Sequence, residues 1–251
     1  MGLPDIEERM DDLHWGDFRL MQNPRWFCFS LDAVLLAWFA KLRSCDRVLD
    51  LGCGNGILPL LLLAREPRLS VTGLELMAPL ADLARRNMEM NGVEAKIICG
   101  DIKEGEQLFP KASFDLVITN PPYEKADQGR LPKEPLKAAA RAELYCDLSD
   151  VLKTAAALLK PLGRFAMVHR ARRLAEIIAG AKAGGLEPKT LRLIAPRREE
   201  PANLLFLEAV KGGKMGMELP PPLIVYEEDG RYTPEMQAIF RGPEGGTEWK
   251  R

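Results

Sequence analysis

The sequence predicts an α/β protein: a doubly wound sheet of seven strands, the last antiparallel, with a hairpin and helix added before it and a short tail after it. Three observations carry that expectation. Residues 47–56, RVLDLGCGNG, run from an apolar stretch into three glycines and then into the apolar run 57–63, which reads as a strand, a tight turn and a buried helix. Acids end three successive strands, at Asp50, Glu75 and Asp101. Helical patterns separate the first five strands, but only residues 196–203 join the sixth to the seventh, too few for a parallel crossover, so that pair is antiparallel.

Composition sets the limits. A chain of 251 residues with 47% apolar content buries a full α/β core as one domain with small additions. The five cysteines, Cys28, Cys45, Cys53, Cys99 and Cys146, contain no C-x-x-C pair, and only His14 and His169 could join them as soft ligands. No metal site is expected, and reduced thiols fit a cytoplasmic protein. No run of eighteen apolar residues occurs and the first residues are acidic, which predicts neither membrane span nor signal peptide.

Residues 1–16 read as a mobile acidic lead. Within 17–30, DFRLMQNPRWFCFS, two β-prone runs flank the turn dipeptide Asn23-Pro24 and predict a hairpin. Ser30 has the chemistry of an N-cap for the helix that follows, where Val34, Leu35, Trp38, Phe39 and Leu42 recur at helical spacing. These make an addition over 1–45. The sheet domain, 46–212, opens with the strand 47–51 and its helix. Residues 69–75 are the second strand, and a helix with Pro79 in its first turn carries Leu80, Leu83, Ala84 and Met88 on one face and stops at Asn91-Gly92. Residues 95–99 and 114–119 are the third and fourth strands. The stretch 124–146, mixed in charge and broken by Gly129, Pro132 and Pro135, reads as a lid or substrate loop. An amphipathic helix over 148–159 stops at Pro161; strand 163–168, helix 171–183, strand 189–195 and strand 204–210 follow. The tail, 213–251, offers an extended run at 223–226, a turn at Asp229-Gly230 and a short helix capped by Thr233.

Two motifs carry chemistry. Glycine at 52, 54 and 56 removes the Cβ that would hold a ligand off the main chain and permits positive φ. A dinucleotide fingerprint would need its third glycine at position 57, which is Ile57; the pattern is instead D-x-G-x-G-x-G, opened by Asp50. Glu75 stands 23 residues past Gly52, about where a doubly wound fold puts the carboxylate that holds ribose hydroxyls. The second motif, Asn120-Pro121-Pro122-Tyr123, follows the fourth strand, beside the glycine turn, in the crevice where open sheets bind ligands. A conjugated amine is a poor nucleophile because its lone pair is delocalised. If the Asn120 side-chain oxygen and the Pro121 carbonyl, held rigid by proline's fixed φ, each accept one N–H, the nitrogen can rehybridise and aim its lone pair. Tyr123 offers a face for a planar target, a contact of about 1–3 kcal/mol for a single-stranded base. Each motif alone has a plainer reading, as a tight βα turn and as a turn with a core tyrosine.

On these residues the glycine turn resembles motif I of the class I S-adenosylmethionine methyltransferases, and N-P-P-Y resembles the motif of the amino-methyltransferases. More narrowly, FSLDAVLLAWFA at 29–40, RAELYCDL at 141–148, MVHRARRL at 167–174 and LPPPLIVYEEDGRYTPEM at 219–236 resemble the bacterial tRNA (adenine-N6) methyltransferases that act at adenine 37, beside the anticodon of a valine tRNA. The resemblance implies S-adenosyl-L-methionine as cofactor, held by Asp50, Gly52, Gly54, Asn55, Gly56, Glu75, Asp101 and Ile102, with Asp101 accepting from the adenine amine. It also puts Asp32, with the Ser30 turn, near the cofactor's methionine end; an acid favourable to the dipole in a helix's first turn is an equal reading. Catalysis would rest on Asn120, Pro121, Pro122 and Tyr123, and tRNA would be the partner.

Net charge is only −1, yet residues 160–214 hold twelve Lys or Arg against five Glu. Such a segment suits a polyanion, with His169, Arg170, Arg172, Arg173, Arg197 and Arg198 as candidate RNA contacts; a solvated helix surface is the bland alternative. Three other functions compete. Enzymes methylating a release-factor glutamine carry a helical domain before the glycine motif, whereas only 46 residues precede Arg47 here. Those methylating guanine N2 in ribosomal RNA often have Phe where Tyr123 stands. An idle RNA-binding module would need neither Asn120 nor the glycine turn.

Overall fold

The computed structural model describes residues 8–24, 26, 28, 30–121, 123 and 146–243. The segment 124–145, expected to be a loop over the sheet, and Pro122 lie outside the described residues. Strands β1 (Arg9–Asp12) and β2 (Arg19–Gln22) form an antiparallel hairpin with Met10 opposite Met21. This corrects the sequence expectation. The run before Asn23-Pro24 is a strand, but its partner lies upstream, in the segment read as a mobile lead. Anchorage explains it: Leu13 and Trp15, between the two strands, are buried, and Trp15 Nε1 donates to the Ile239 carbonyl at 2.9 Å. Helix α1 (Leu31–Phe39) follows; Ser30 is extended at its N-cap, yet its side chain caps nothing.

The sheet is built from β3 (Arg47–Leu51), β4 (Ser70–Glu75), β5 (Ala95–Cys99), β6 (Phe114–Thr119), β7 (Leu159–Arg170), β8 (Leu186–Ala195), β9 (Leu204–Lys211) and β10 (Leu223–Ile224). Their spatial order is β10-β8-β9-β7-β6-β3-β4-β5. As expected, β9 is antiparallel, pairing so with both β7 and β8. Among the described residues the sheet has eight strands rather than seven, because Leu223 and Ile224 of the tail pair in parallel with Ile194 and Ala195. Helices α2 (Ile57–Arg65), α3 (Ala78–Met90), the single turn α4 (Gly105–Leu108), α5 (Leu148–Leu158) and α6 (Leu174–Ala183) lie between strands, and α7 (Pro234–Arg241) closes the described chain.

Alternation along the strands divides the core. Val48, Val71 and Ile118 join α1 and α2 residues such as Leu35, Leu36 and Leu60 in one cluster, while Leu49, Leu74 and Val117 join Val151, Leu152 and Ile177 in the other. Residues 57–63 are buried in succession, and a helix that is apolar all round must be covered on its outer side too, which α1 does. Asn87 on α3 and Asn91 at its C-cap close the open edge of β2. Met21 N–H donates to Asn87 Oδ1 (2.8 Å) and Arg19 N–H to Asn91 Oδ1 (2.8 Å), while the two amide nitrogens donate to the Met21 and Arg19 carbonyls at 3.0 and 2.7 Å. Side chains one helical turn apart thus replace a neighbouring strand. Because β3 to β8 all run in one direction apart from the inserted β9, their carboxyl ends share one edge. Among the described residues no helix is long and apolar enough to cross a membrane.

Candidate active site

The site begins where β3 stops. Gly52 and Cys53 N–H groups both donate to the Leu74 carbonyl at 2.8 and 3.0 Å, folding the chain over the end of β4. Gly52, Gly54 and Gly56 all have positive φ, at 78°, 55° and 86°. Their surroundings differ. A Cβ on Gly52 or Gly54 would meet nothing within 4 Å, whereas one on Gly56 would stand 2.8 Å from Met88 Cε and 3.2 Å from Ala84 Cβ of α3. The first two leave open space over the backbone and the third lets two helices approach. Gly73, not singled out from the sequence, serves likewise, since a Cβ there would lie 2.7 Å from Cys53 Sγ.

Carboxylates surround that turn. Glu75 Oε2 accepts from Gly54 N–H at 2.9 Å and Oε1 from Met77 N–H at 2.8 Å, so it braces the glycine turn and retains lone pairs for a ligand. Burial raises its carboxyl above the usual range, partly opposed by those N–H bonds. Asp50 is wholly buried with both carboxylate oxygens unpartnered, and burial, then the neighbouring Glu75, pushes it well above the usual range. Asn55 is buried as well; its Nδ2 points at Gln22 Oε1 at 3.5 Å, and its Oδ1 has no partner. Asp101 caps a short helical turn through Lys103 N–H (2.9 Å), with Ile102 half-buried behind it. Buried acceptors without partners beside a bare main-chain surface fit a ligand that brings a cation, hydroxyls and an amine.

Asn120 and Pro121 follow β6, the strand next to β3, and a bond that sequence reasoning missed fixes their distance from the turn: Thr119 Oγ1 donates to the Leu51 carbonyl at 2.8 Å. The Tyr123 hydroxyl donates to Asp32 Oδ2 at 2.7 Å and also contacts Asn120 Oδ1. Burial, then the Asp32 carboxylate, raises this phenol well above its ordinary value. The Arg170 guanidinium lies 4.9 Å from the tyrosine ring centre, the His169 ring meets it edge-on at 5.2 Å, and Arg173 Nη1 reaches the Tyr123 carbonyl at 3.4 Å. One face of the expected stacking platform is thus already covered by an arginine.

The Methyltransferase small domain model matches residues 31–179. This chain belongs to that family. A tRNA1(Val) (adenine(37)-N6)-methyltransferase of Tolumonas auensis is 29% identical over 210 residues, covering 83% of this chain and 86% of that protein. One of the same name from Aeromonas salmonicida is 30% identical over 183 residues, 72% of this chain and 75% of its own. Among solved structures, a predicted O-methyltransferase from Agrobacterium tumefaciens superposes with a TM-score of 0.68 at 27% identity, over 84% of this chain and 97% of that one. The chain is a methyltransferase of class I fold, and its cofactor is S-adenosyl-L-methionine.

The basic segment of this methyltransferase does not gather on one face. Lys160 pairs with Asp115 at 2.7 Å and Arg164 with Asp46, both at the amino ends of the strands, opposite the site. Arg192 is buried and forks onto Glu235 of α7 at 2.7 and 2.9 Å. Arg173 is buried and forks onto Glu176 at 2.9 and 2.7 Å, and Arg197 pairs with Glu200 at 2.7 Å. His169 is fully buried, its Nδ1 accepting from Arg170 N–H at 2.8 Å, and burial, then Arg173, lowers it to about 4. A neutral, buried imidazole brings no charge to a phosphate, which corrects that expectation. Arg172 and Arg198 remain exposed, and both follow strands that end at the site's edge.

Proposed function

We propose that this methyltransferase acts on the exocyclic nitrogen N6 of an adenine in tRNA, at position 37 beside the anticodon of tRNA(Val). The observation that carries the reading is Asn120 and Pro121 at the end of β6, tied through Thr119 to the end of β3 and so to the open side of Gly52 and Gly54. The names of the relatives, matched over most of both chains, supply the substrate class.

S-adenosyl-L-methionine supplies an electrophilic methyl on a sulfonium centre. Gly52 and Gly54 leave its main-chain seat open, Glu75 is available to ribose hydroxyls, Asp101 to the adenine amine, and the buried Asp50 and Asn55 acceptors lie behind the turn. The target nitrogen attacks with a lone pair that must first be freed from its ring. Asn120 Oδ1 and the Pro121 carbonyl, accepting its two N–H groups, favour the pyramidal nitrogen of the transition state over the flat one of the ground state, which is how such contacts lower a barrier. The rest of the rate comes from holding two reactants in line. The amine gains the methyl and then loses one proton, so no strong base is required. The Tyr123 ring and the Arg170 guanidinium, stacked on each other, form the wall for the flipped base.

Replacing Asn120 by Ala separates binding from chemistry. Cofactor affinity by calorimetry is expected to stay at the wild-type value, while methyl transfer to total tRNA falls by about two orders of magnitude or more, the loss typical of one transition-state hydrogen bond. Turnover within about threefold of wild type would remove Asn120 from the mechanism.

A further inference from the structure

The Tyr123 hydroxyl carries one proton and faces two oxygens, Asp32 Oδ2 at 2.7 Å and Asn120 Oδ1. Asp32 comes from the first turn of α1, 91 residues away in the chain. A carboxylate only accepts, and it is a stronger acceptor than an amide oxygen, so the phenol donates its one proton to Asp32. Tyr123 Oη then has only lone pairs left for Asn120. An amide oxygen facing those lone pairs would repel them, whereas Nδ2–H donates to them. The two ends of an asparagine amide have the same shape, so this proton count decides which end meets the tyrosine.

We propose that Asp32 is a positioning residue that sets the amide of Asn120 through the Tyr123 hydroxyl, turning Nδ2 onto Tyr123 Oη and Oδ1 into the crevice. This deepens the reading given above and rests on it, since Oδ1 is the atom needed by the target amine. Asp32 therefore acts on the methyl acceptor, through two hydrogen bonds, rather than on the cofactor's methionine end. A phenylalanine at position 123 would keep the ring and lose the orienting bond. The hydroxyl also becomes harmful if its acceptor is taken away: its proton would turn onto Asn120 Oδ1 and compete with the substrate.

That last consequence gives a test with an unusual sign. Asp32→Leu removes the acceptor at similar volume, and is expected to lower kcat about tenfold or more, the weight of one competing hydrogen bond, with the KM for tRNA and the cofactor Kd unchanged. Asp32→Asn keeps an oxygen that accepts from Tyr123 and should stay within about threefold of wild type. Adding Tyr123→Phe to Asp32→Leu removes the competing proton, so the double variant should turn over faster than Asp32→Leu alone and match Tyr123→Phe alone. No recovery in the double variant would overturn the proposal. So would a raised cofactor Kd in Asp32→Leu, which would return Asp32 to the methionine end. A substrate-free readout stands beside these. In the labelled wild-type protein, the Asn120 Nδ2 protons should show nuclear Overhauser contacts to the Tyr123 ring that disappear in Asp32→Leu; their absence from wild type overturns the proposal even if a variant fails to fold. If wild type leaves tRNA unmethylated, the tRNA reading fails while the amide contacts still decide this one.

Discussion

Asn120 and His169 both lie against Tyr123, the first at its hydroxyl and the second edge-on to its ring. Asn120 stands in a motif whose residue types suit the proposed activation of an amine, a role that order and spacing suggested. The bond between Tyr123 and Asp32 spans 91 residues, and no local pattern announces it. His169 looked like a strand-end cation because sequence spacing does not reveal that β9 and Tyr123 cover it; it is fully buried, and its value is lowered to about 4, burial being the main cause. The sign follows. The unfolded histidine takes up a proton below about 6.5 and the folded one does not. Its contribution is therefore complete above that pH and is lost as pH falls towards 4, by about 3 kcal/mol over the window. His169→Asn keeps an oxygen to accept the Arg170 N–H and removes the titration. Urea unfolding of the two proteins between pH 7 and 4 is expected to give a flatter stability profile for the variant, and parallel profiles would mean that the imidazole is protonated in the folded state.

Strands and helices with a clear period were legible: β3 to β6, α2, α3 and α5 fall within a few residues of their expected ranges. The hairpin was not, because β1, RMDD, has no apolar alternation and is held by what surrounds it rather than by its own pattern. Its partner β2 leans on Asn87 of α3 and on Asn91 at that helix's C-cap, polar positions outside the apolar pattern. Asn87 does more than pair with Met21. Its Nδ2 also donates to the Asn55 carbonyl at 2.9 Å, so one buried amide joins the hairpin to the glycine turn. Asn87→Leu would strand the half-buried Met21 N–H and two carbonyls, at a cost of about 2–4 kcal/mol. A fall in the urea midpoint with unchanged slope is the expected result; a midpoint equal to wild type would mean that water replaces the clamp. The pairing of the eighth strand carries no sequence signal for a related reason, being two residues long and set by the tail's route past β8.

At the scale of the whole molecule, both chain additions meet on one side of the sheet. Trp15 bonds Ile239, packs edge-on to Trp38 at 5.9 Å, and sits where a Cβ on Gly242 would come within 2.6 Å of it. The +7 segment showed the limit of counting along a chain, since its pairs fall at both ends of the strands and one of its arginines is buried against α7. If the exposed Arg172 and Arg198 meet tRNA phosphates, changing both to Ala should lower the magnitude of the log K against log salt slope by about one to two without altering cofactor affinity. An unchanged slope would make them ordinary solvated arginines. The central claim is the nitrogen that receives the methyl. The most direct measurement incubates the purified enzyme with labelled S-adenosyl-L-methionine and either an unmodified tRNA(Val) or one with guanine at position 37, with a release factor as protein substrate, and identifies the labelled product after digestion. N6-methyladenosine from the first tRNA, and no label in the second or in the release factor, is the expected result. Label in a glutamine of the release factor, or tRNA methylation that survives the change at position 37, would contradict it.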